Sequence, residues 1–363
     1  MKKELLIKTL VLGIISLFIC ISINPSFAQY TEKSFQPSRV TTITVDDDGD
    51  GDYTSIKDAV NNSNPGDIIE VYSGIYFEDE ILINKPNITL KGVSYELGGG
   101  NDTGKPVIIR EGFMQIIQVE ADNITISGFI MQDNNSERNV LYQGHFIDVY
   151  SANGCLISNN TIQNGTNYSV GIDCSYTTNA QIIDNIINDM DWDGISFKGS
   201  NNASVLGNII INSERGIYIE SSETINVAKN KINGCDTGIT LSKGRNNTIY
   251  LNNIENNSFG ISIEISPKNI IKHNNFINNS RDAVWVAVKV VIIQRWNSIC
   301  NSWIENYWND WIKIGPKIIP GLIFILIGFI PGGELILPIG IPLPLFQLDR
   351  HPAKETYNIP IGG

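Results

Sequence analysis

An asparagine followed two residues later by Ile or Phe recurs at Asn185, Asn208, Asn230, Asn252 and Asn274, and a Gly-Ile pair recurs at Gly171, Gly194, Gly216, Gly238 and Gly260. Each glycine stands fourteen residues before an asparagine, and the step is 23 once and 22 thereafter. That period is too short for paired-helix repeats, and its anchors are turn-formers and β-branched aliphatics rather than a Leu-rich horseshoe pattern. Between the anchors run short alternating stretches such as Gly216-Ile217-Tyr218-Ile219, Ile225-Asn226-Val227 and Asn230-Lys231-Ile232, in which every second residue is aliphatic. Each repeat therefore reads as one coil of a parallel β-solenoid, with strands about 4.8 Å from their equivalents above and below. Aliphatics point into a lumen, asparagines stack as an amide ladder at a tight corner, and glycine frees the corner before the next strand. Cys174 and Ile217 are expected in that lumen.

Solenoids escape the usual domain size limit, so 363 residues that are 42% hydrophobic suit one elongated body. The formal net charge is -12 and the pI about 4.8, which argues against a nucleic-acid partner. Lys2, Lys3 and Lys8 precede an apolar run from Leu10 to Ile23, then Pro25 and Ser26-Phe27-Ala28, the layout of a cleavable export signal over residues 1–28. Residues 29–40 read as a linker, 41–305 as the β-helix and 306–363 as a closing segment. Export would permit disulfides, but Cys155, Cys174, Cys235 and Cys300 are scattered and read as buried free thiols. With no C-x-x-C pair, zinc is not indicated.

Thr42 to Val45 reads as a first strand. In Tyr53 to Val60, Thr54 or Ser55 can cap a short helix that lays Ile56, Ala59 and Val60 on one face as a plug for the open end. The run from Asp47-Asp48-Gly49 through Tyr53-Thr54-Ser55-Ile56, then Pro65-Gly66-Asp67-Ile68-Ile69-Glu70-Val71, Gly74-Ile75-Tyr76 and Leu90-Lys91-Gly92, resembles the entry to NosD-like right-handed parallel β-helices. These carbohydrate-binding and sugar-hydrolysis domains belong to the pectin-lyase-like superfamily. Asn306-Tyr307-Trp308-Asn309-Asp310-Trp311 and Asp349 to Glu355 resemble closing segments of secreted members. The resemblance implies the all-β fold; its shared residues are architectural, and no pectate-lyase or polygalacturonase signature is present. Between the closing motifs, the uncharged stretches Ile318 to Gly333 and Leu335 to Leu348 are broken by prolines. They suggest an apolar cover on the solenoid, with contact of 318–346 to a membrane surface as the alternative.

Aligning coils by their anchors predicts two outward ladders. The first is Asp148, Asp173, Ser196, Tyr218, Thr240 and Ser262; the second is Tyr150, Ser175, Lys198, Glu220, Ser242 and Glu264. The spacing breaks beside the first two acids, where extra residues carry Tyr168 and Asp189-Met190-Asp191-Trp192-Asp193, and the excursion Asp133 to His145 adds Glu137, Arg138, Tyr142 and His145. Bulges in solenoid loops are where function is grafted. Aromatic faces pack on sugar rings and carboxylates accept hydroxyl hydrogen bonds, so Asp148, Asp173, Asp191, Trp192 and Tyr168 are candidate ligands for a polysaccharide or cell-surface glycan on one exposed face. Asp148, Asp173 and Asp191 are also candidate catalytic acids of a lyase or hydrolase. A third class is a structural surface-layer component. Two Asp-x-Asp-x-Asp-Gly segments, at Asp46, Asp48, Asp50 and at Asp189, Asp191, Asp193, offer oxygen ligands for Ca²⁺, though neither carries the closing Glu of an EF-hand loop. His145, His273 and His351 are too widely spaced to suggest a copper cluster.

Overall fold

The computed structural model describes residues 40–112, 114–133, 144–166, 168–290, 301–311, 316–327 and 339–360. The export signal, most of the linker, Glu137, Arg138, Tyr142 and Cys300 lie outside them. The described chain is a right-handed parallel β-helix of thirty strands with one short helix, Ile56–Asn62. Strands of three faces stack coil upon coil. One face runs from Ile81–Ile83 through His145–Tyr150, Val170–Ser175 and Thr237–Ser242 to Arg281–Val290. The repeat period sets the register, so Ile217 pairs with Ile239 and Ile239 with Ile261. All three side chains are fully buried in one continuous core that fills the lumen, together with Cys155, Cys174 and Cys235 as free thiols.

The corner chemistry is partly as expected. Asn160, Asn185, Asn208, Asn230, Asn252, Asn274 and Asn306 form a buried ladder in which each Nδ2 donates to the next Oδ1 at 2.9–3.1 Å. Phe129 takes the place of the asparagine one coil earlier, and its N–H donates to Asn160 Oδ1. The left-handed residue at the corner, however, precedes the ladder asparagine: Asn159, Asp184, Gly207, Lys229, Leu251, His273 and Glu305 have positive φ. The coil glycines need no unusual φ. A Cβ on Gly171, Gly194, Gly216 or Gly238 would stand 2.6–2.7 Å from the carbonyl oxygen of the next coil's glycine, so these glycines are required by close backbone approach.

At the entry, Ser55 caps the helix, its Oγ accepting from Asp58 N, and Ile56, Ala59 and Val60 are buried as expected. At the far end, Asp349 terminates the amide ladder by accepting from Asn306 Nδ2, while Trp308 Nε1 donates to the same oxygen. Over the described residues, the uncharged stretches form a two-stranded ribbon. Lys317–Ile327 pairs in parallel with Arg281–Val290 and antiparallel with Ile339–Asp349, extending the sheet. Ile319 enters the core and Ile318 is exposed. No helix among the described residues is long and apolar enough to cross a membrane.

Candidate functional site

The outward ladder forms with the anticipated register: Asp148 pairs with Asp173, Asp173 with Ser196 and Ser196 with Tyr218. Its exposure differs from expectation. Asp173 is 2% exposed and Ser196 fully buried, because long side chains on neighbouring positions reach across the sheet. Lys198 Nζ stands 3.2 Å from Asp173 Oδ1, and Ser175 Oγ donates to Asp173 Oδ2 at 2.7 Å. Asp148, partly exposed, faces His145, whose Nδ1 is 3.6 Å from its Oδ2. One ligand atom from each of His145, Asp148 and Asp173 lies within 4.8 Å of the others.

Beside this ladder the strand Ile186–Lys198 bulges between Met190 and Asp193. Asp193 is fully buried in the grip of Arg215, whose Nε and Nη2 donate to its two carboxylate oxygens at 2.6 and 3.0 Å. Burial pushes the Asp193 carboxyl up to about 6; Arg215 and Lys198 oppose the rise, and the charge of Asp173 adds to it. The Arg215 guanidinium lies 3.7 Å from the Tyr218 ring centroid and 5.1 Å from that of Trp192. Trp192 in turn meets exposed Tyr168 edge to face at 5.6 Å.

The structure thus brings Asp148, Asp173, Trp192 and Tyr168 onto one side of the solenoid. The shared exposed face expected for Asp148, Asp173, Asp191 and Trp192 is corrected in one respect: its central acid is buried and ion-paired. Asp191 is exposed at the start of the bulge. The proposed cation set Asp189, Asp191, Asp193 does not converge. These residues sit where the chain turns from one face of the coil to the next, with Asp189 at φ +57 and a register shift between Met190 and Asp193, and among the described residues they do not form a converging acid group. Asp193 is committed to Arg215, and Asp189 accepts from Asn188 and Asn212. At the other segment, Asp48 joins Glu96 and Asp102 within 4.8 Å, whereas Asp50 accepts the backbone N–H of Gly99. Arg215 was not singled out from sequence, yet it was legible: it stands immediately before Gly216 as Asp193 does before Gly194, so the period places the opposite charges on adjacent rungs.

Among the described residues, several buried polar atoms on this side have no hydrogen-bond partner, including His145 Nε2, Ser196 Oγ and Ser169 Oγ. Such atoms carry a cost unless something else satisfies them. The arrangement offers aromatic rings, orphaned polar atoms and two acids already neutralised by bases.

A family model described as "Periplasmic copper-binding protein (NosD)" matches residues 37–311. No curated protein matches the sequence. Among solved structures, the chain is similar to XylC in complex with xylose, at 12% identity and TM-score 0.51, covering 83% of this chain and 73% of that one. It is also similar to tailspike protein 2 of the Escherichia coli O157:H7 bacteriophage CAB120, at 12% identity and TM-score 0.51, covering 74% of this chain and 36% of that one. A third likeness is DFA-IIIase from Arthrobacter chlorophenolicus A6 in complex with GF2, at 13% identity and TM-score 0.48, covering 68% and 76%. At these identities the likeness is one of fold.

Proposed function

The chain belongs to the NosD family, whose description is periplasmic, and we propose that it works outside the cytoplasm as a carbohydrate-binding β-helix that leaves its glycan uncut. The observation that carries this reading is the Trp192–Tyr168 pair, joined through the Trp192 N–H to the carbonyl of Ser169, whose own Oγ is orphaned, on a side of the solenoid that also holds the orphaned Ser196 Oγ and His145 Nε2. An aromatic face takes the apolar side of a pyranose while hydroxyls satisfy the polar atoms beneath. The acids support binding over catalysis. Asp173 is held by Lys198 and Ser175, and Asp193 is fully buried against Arg215, with no exposed surface for a substrate to meet.

Copper, which the family description names, meets a poor donor set here. His145 brings one imidazole to Asp148 and Asp173, but the Lys198 ammonium already occupies the cation position beside Asp173. The thiols of Cys155, Cys174 and Cys235 and the thioethers of Met131 and Met190 are buried in the lumen. A copper site draws on several imidazole or sulfur donors, and the donors on this face do not make one.

The test is a glycan array probed with the purified protein, with reducing-end release measured on every hit. Binding without release is expected, and Trp192→Ala should weaken it by roughly tenfold or more, as loss of a central aromatic anchor does. Tyr168→Ala should weaken it less. Failure of the folded protein to bind any glycan would favour the structural surface-layer reading. Release of new reducing ends that vanishes in Asp173→Asn would favour the enzyme.

A further inference from the structure

A second amide ladder climbs the solenoid and ends at a cavity. Asn247 N donates to Asn269 Oδ1 at 2.9 Å, and Asn269 donates to Asn301 Oδ1 from its backbone N–H at 2.9 Å and from its Nδ2 at 3.1 Å. Asn301 N then meets Gln347 Oε1 at 3.4 Å, and Trp303 Nε1 donates to the same oxygen at 2.7 Å. Two donors on that oxygen fix which way the amide is turned, so the group left over is the Nε2 donor. Gln347 is 6% exposed, and its Nε2 is buried with no acceptor. A buried donor without a partner is costly, and water or a ligand ordinarily satisfies it.

Gln347 lines a cavity of about 520 Å³, within the size range of small-molecule sites, between the strand Ser302–Ile304 and the segment 347–351. Arg350 and His351 line it as well; both are exposed, and among the described residues neither forms an ion pair. The two acids on its wall are already engaged. Asp349 Oδ1 accepts the N–H groups of Glu305 and His351, and its Oδ2 accepts Asn306 N, Asn306 Nδ2 and Trp308 Nε1. Glu305 Oε2 lies 3.1 Å from His273 Nε2. What remains uncommitted is a buried amide donor, a guanidinium and an imidazole, a set that suits an oxygen anion rather than a metal ion. Ile304 and Leu348, 42% and 41% exposed, add apolar surface beside it.

We propose that the cavity lined by Gln347, Arg350 and His351 binds a small organic carboxylate. A carboxylate offers two oxygens in one plane, which matches the guanidinium fork and leaves lone pairs for the Gln347 amide. Phosphate fits less well. It carries more than one negative charge, whereas Glu305 and Asp349 stand on the same wall and, among the described residues that line the cavity, Arg350 is the one permanent cation. The apolar flanks favour an acid with a carbon body, such as a uronic acid, over a bare anion. The site lies several coils beyond Trp192 and does not depend on what the aromatic face binds.

The experiment is calorimetric titration of the purified protein at neutral pH with D-glucuronate, D-glucose and inorganic phosphate, alongside thermal unfolding with each. Glucuronate is expected to bind at millimolar concentration or tighter and to raise the unfolding midpoint, because a ligand held only by the native state stabilises it by mass action. Arg350→Gln should weaken glucuronate roughly tenfold or more and leave any heat from glucose unchanged. Gln347→Glu keeps an acceptor for Trp303 Nε1 but puts a second acceptor where the spare donor was, so it should abolish glucuronate binding. Should that variant lose stability, Arg350→Gln and His351→Gln, both at exposed positions, carry the test. No heat and no midpoint shift at ~10 mM glucuronate, well above a millimolar dissociation constant, would overturn the proposal. So would glucuronate binding that survives Arg350→Gln, or phosphate binding as tightly as glucuronate. Trp192→Ala should leave glucuronate binding as it was; its loss in that variant would place the ligand on the aromatic face and overturn the assignment.

Discussion

Replacing Asn230 with Leu tests whether the amide ladder holds the coils or merely decorates them. Asn230 is fully buried. Its Oδ1 accepts from Asn208 N at 2.9 Å and from Asn208 Nδ2 at 3.0 Å; its Nδ2 donates to Val205 O at 3.0 Å and to Asn252 Oδ1 at 2.9 Å. Leucine matches the volume but makes none of these bonds. Asn208 Nδ2 keeps Ile182 O and Leu206 O as acceptors, and Asn252 Oδ1 keeps the Asn230 N–H. The unrelieved losses are then the Asn208 N–H and the donor to Val205 O. At about 1–3 kcal/mol for each buried group left unsatisfied, the substitution should cost roughly 2–6 kcal/mol. The control is Asn256→Gly: Asn256 is exposed, bonds Asn233 Oδ1 at 2.8 Å and has φ +57, which glycine adopts without strain. It should change stability by about 0.5 kcal/mol or less. Both would be measured by equilibrium urea unfolding followed by far-ultraviolet circular dichroism and Trp fluorescence. An unchanged midpoint for Asn230→Leu, or an equal loss for Asn256→Gly, would refute the argument that burial gives the ladder its weight.

Ile217→Asp places a charge in the lumen between Ile195 and Ile239 and should cost roughly 4–5 kcal/mol in the same assay. The pH dependence has a definite sign at Asp282. Burial, with Asp310 beside it, pushes its carboxyl up to about 7, so between the ordinary value near 3.8 and 7 the folded chain holds a proton that the unfolded chain has released. This group's contribution to stability is therefore present at low pH and lost as pH rises towards 7, at up to about 1.4 kcal/mol per unit. Asp282→Asn should raise the unfolding midpoint at pH ~8 and flatten that slope; a midpoint independent of the substitution at both ends of the range would contradict it. Cys155, Cys174 and Cys235 are almost wholly buried, and burial raises the Cys235 thiol to about 11. A Cys20→Ser/Cys300→Ser variant should therefore be inert to a thiol reagent until denatured, and rapid labelling of the native protein would show that the lumen opens.

Much of the fold was legible because a solenoid converts non-local contacts into a local period. Residues 22 apart are neighbours, so the stacking of Ile217 on Ile239, the amide ladder from Asn185 to Asn274 and the pairing of Asp148 with Asp173 all followed from counting. The same arithmetic would have paired Asp193 with Arg215. Exposure of the ladder was misjudged because alternation says only which side of the sheet a residue leaves from. It does not say that Lys198 or Arg215 will fold back over that side. The set Asp189, Asp191, Asp193 is a different case: the chain does turn there, with Asp189 left-handed at the corner, but Asp193 is drawn inward to Arg215 while Asp189 is held by Asn212 on the next coil.

By itself the sequence determined the class of fold, the coil period, the lumen residues and the buried corner asparagines, since each depends on repetition and on the preference of aliphatic and amide side chains for their own kind one rung away. Only the tertiary structure decided what happens where the repetition stops. Asp349 closes the ladder from 43 residues beyond Asn306, and Asp50 reaches Gly99 across 49 residues. At the ends and bulges no neighbour lies at a fixed separation, so the partners there are chosen by how the loops pack and by which buried charges and orphaned polar atoms must find one another.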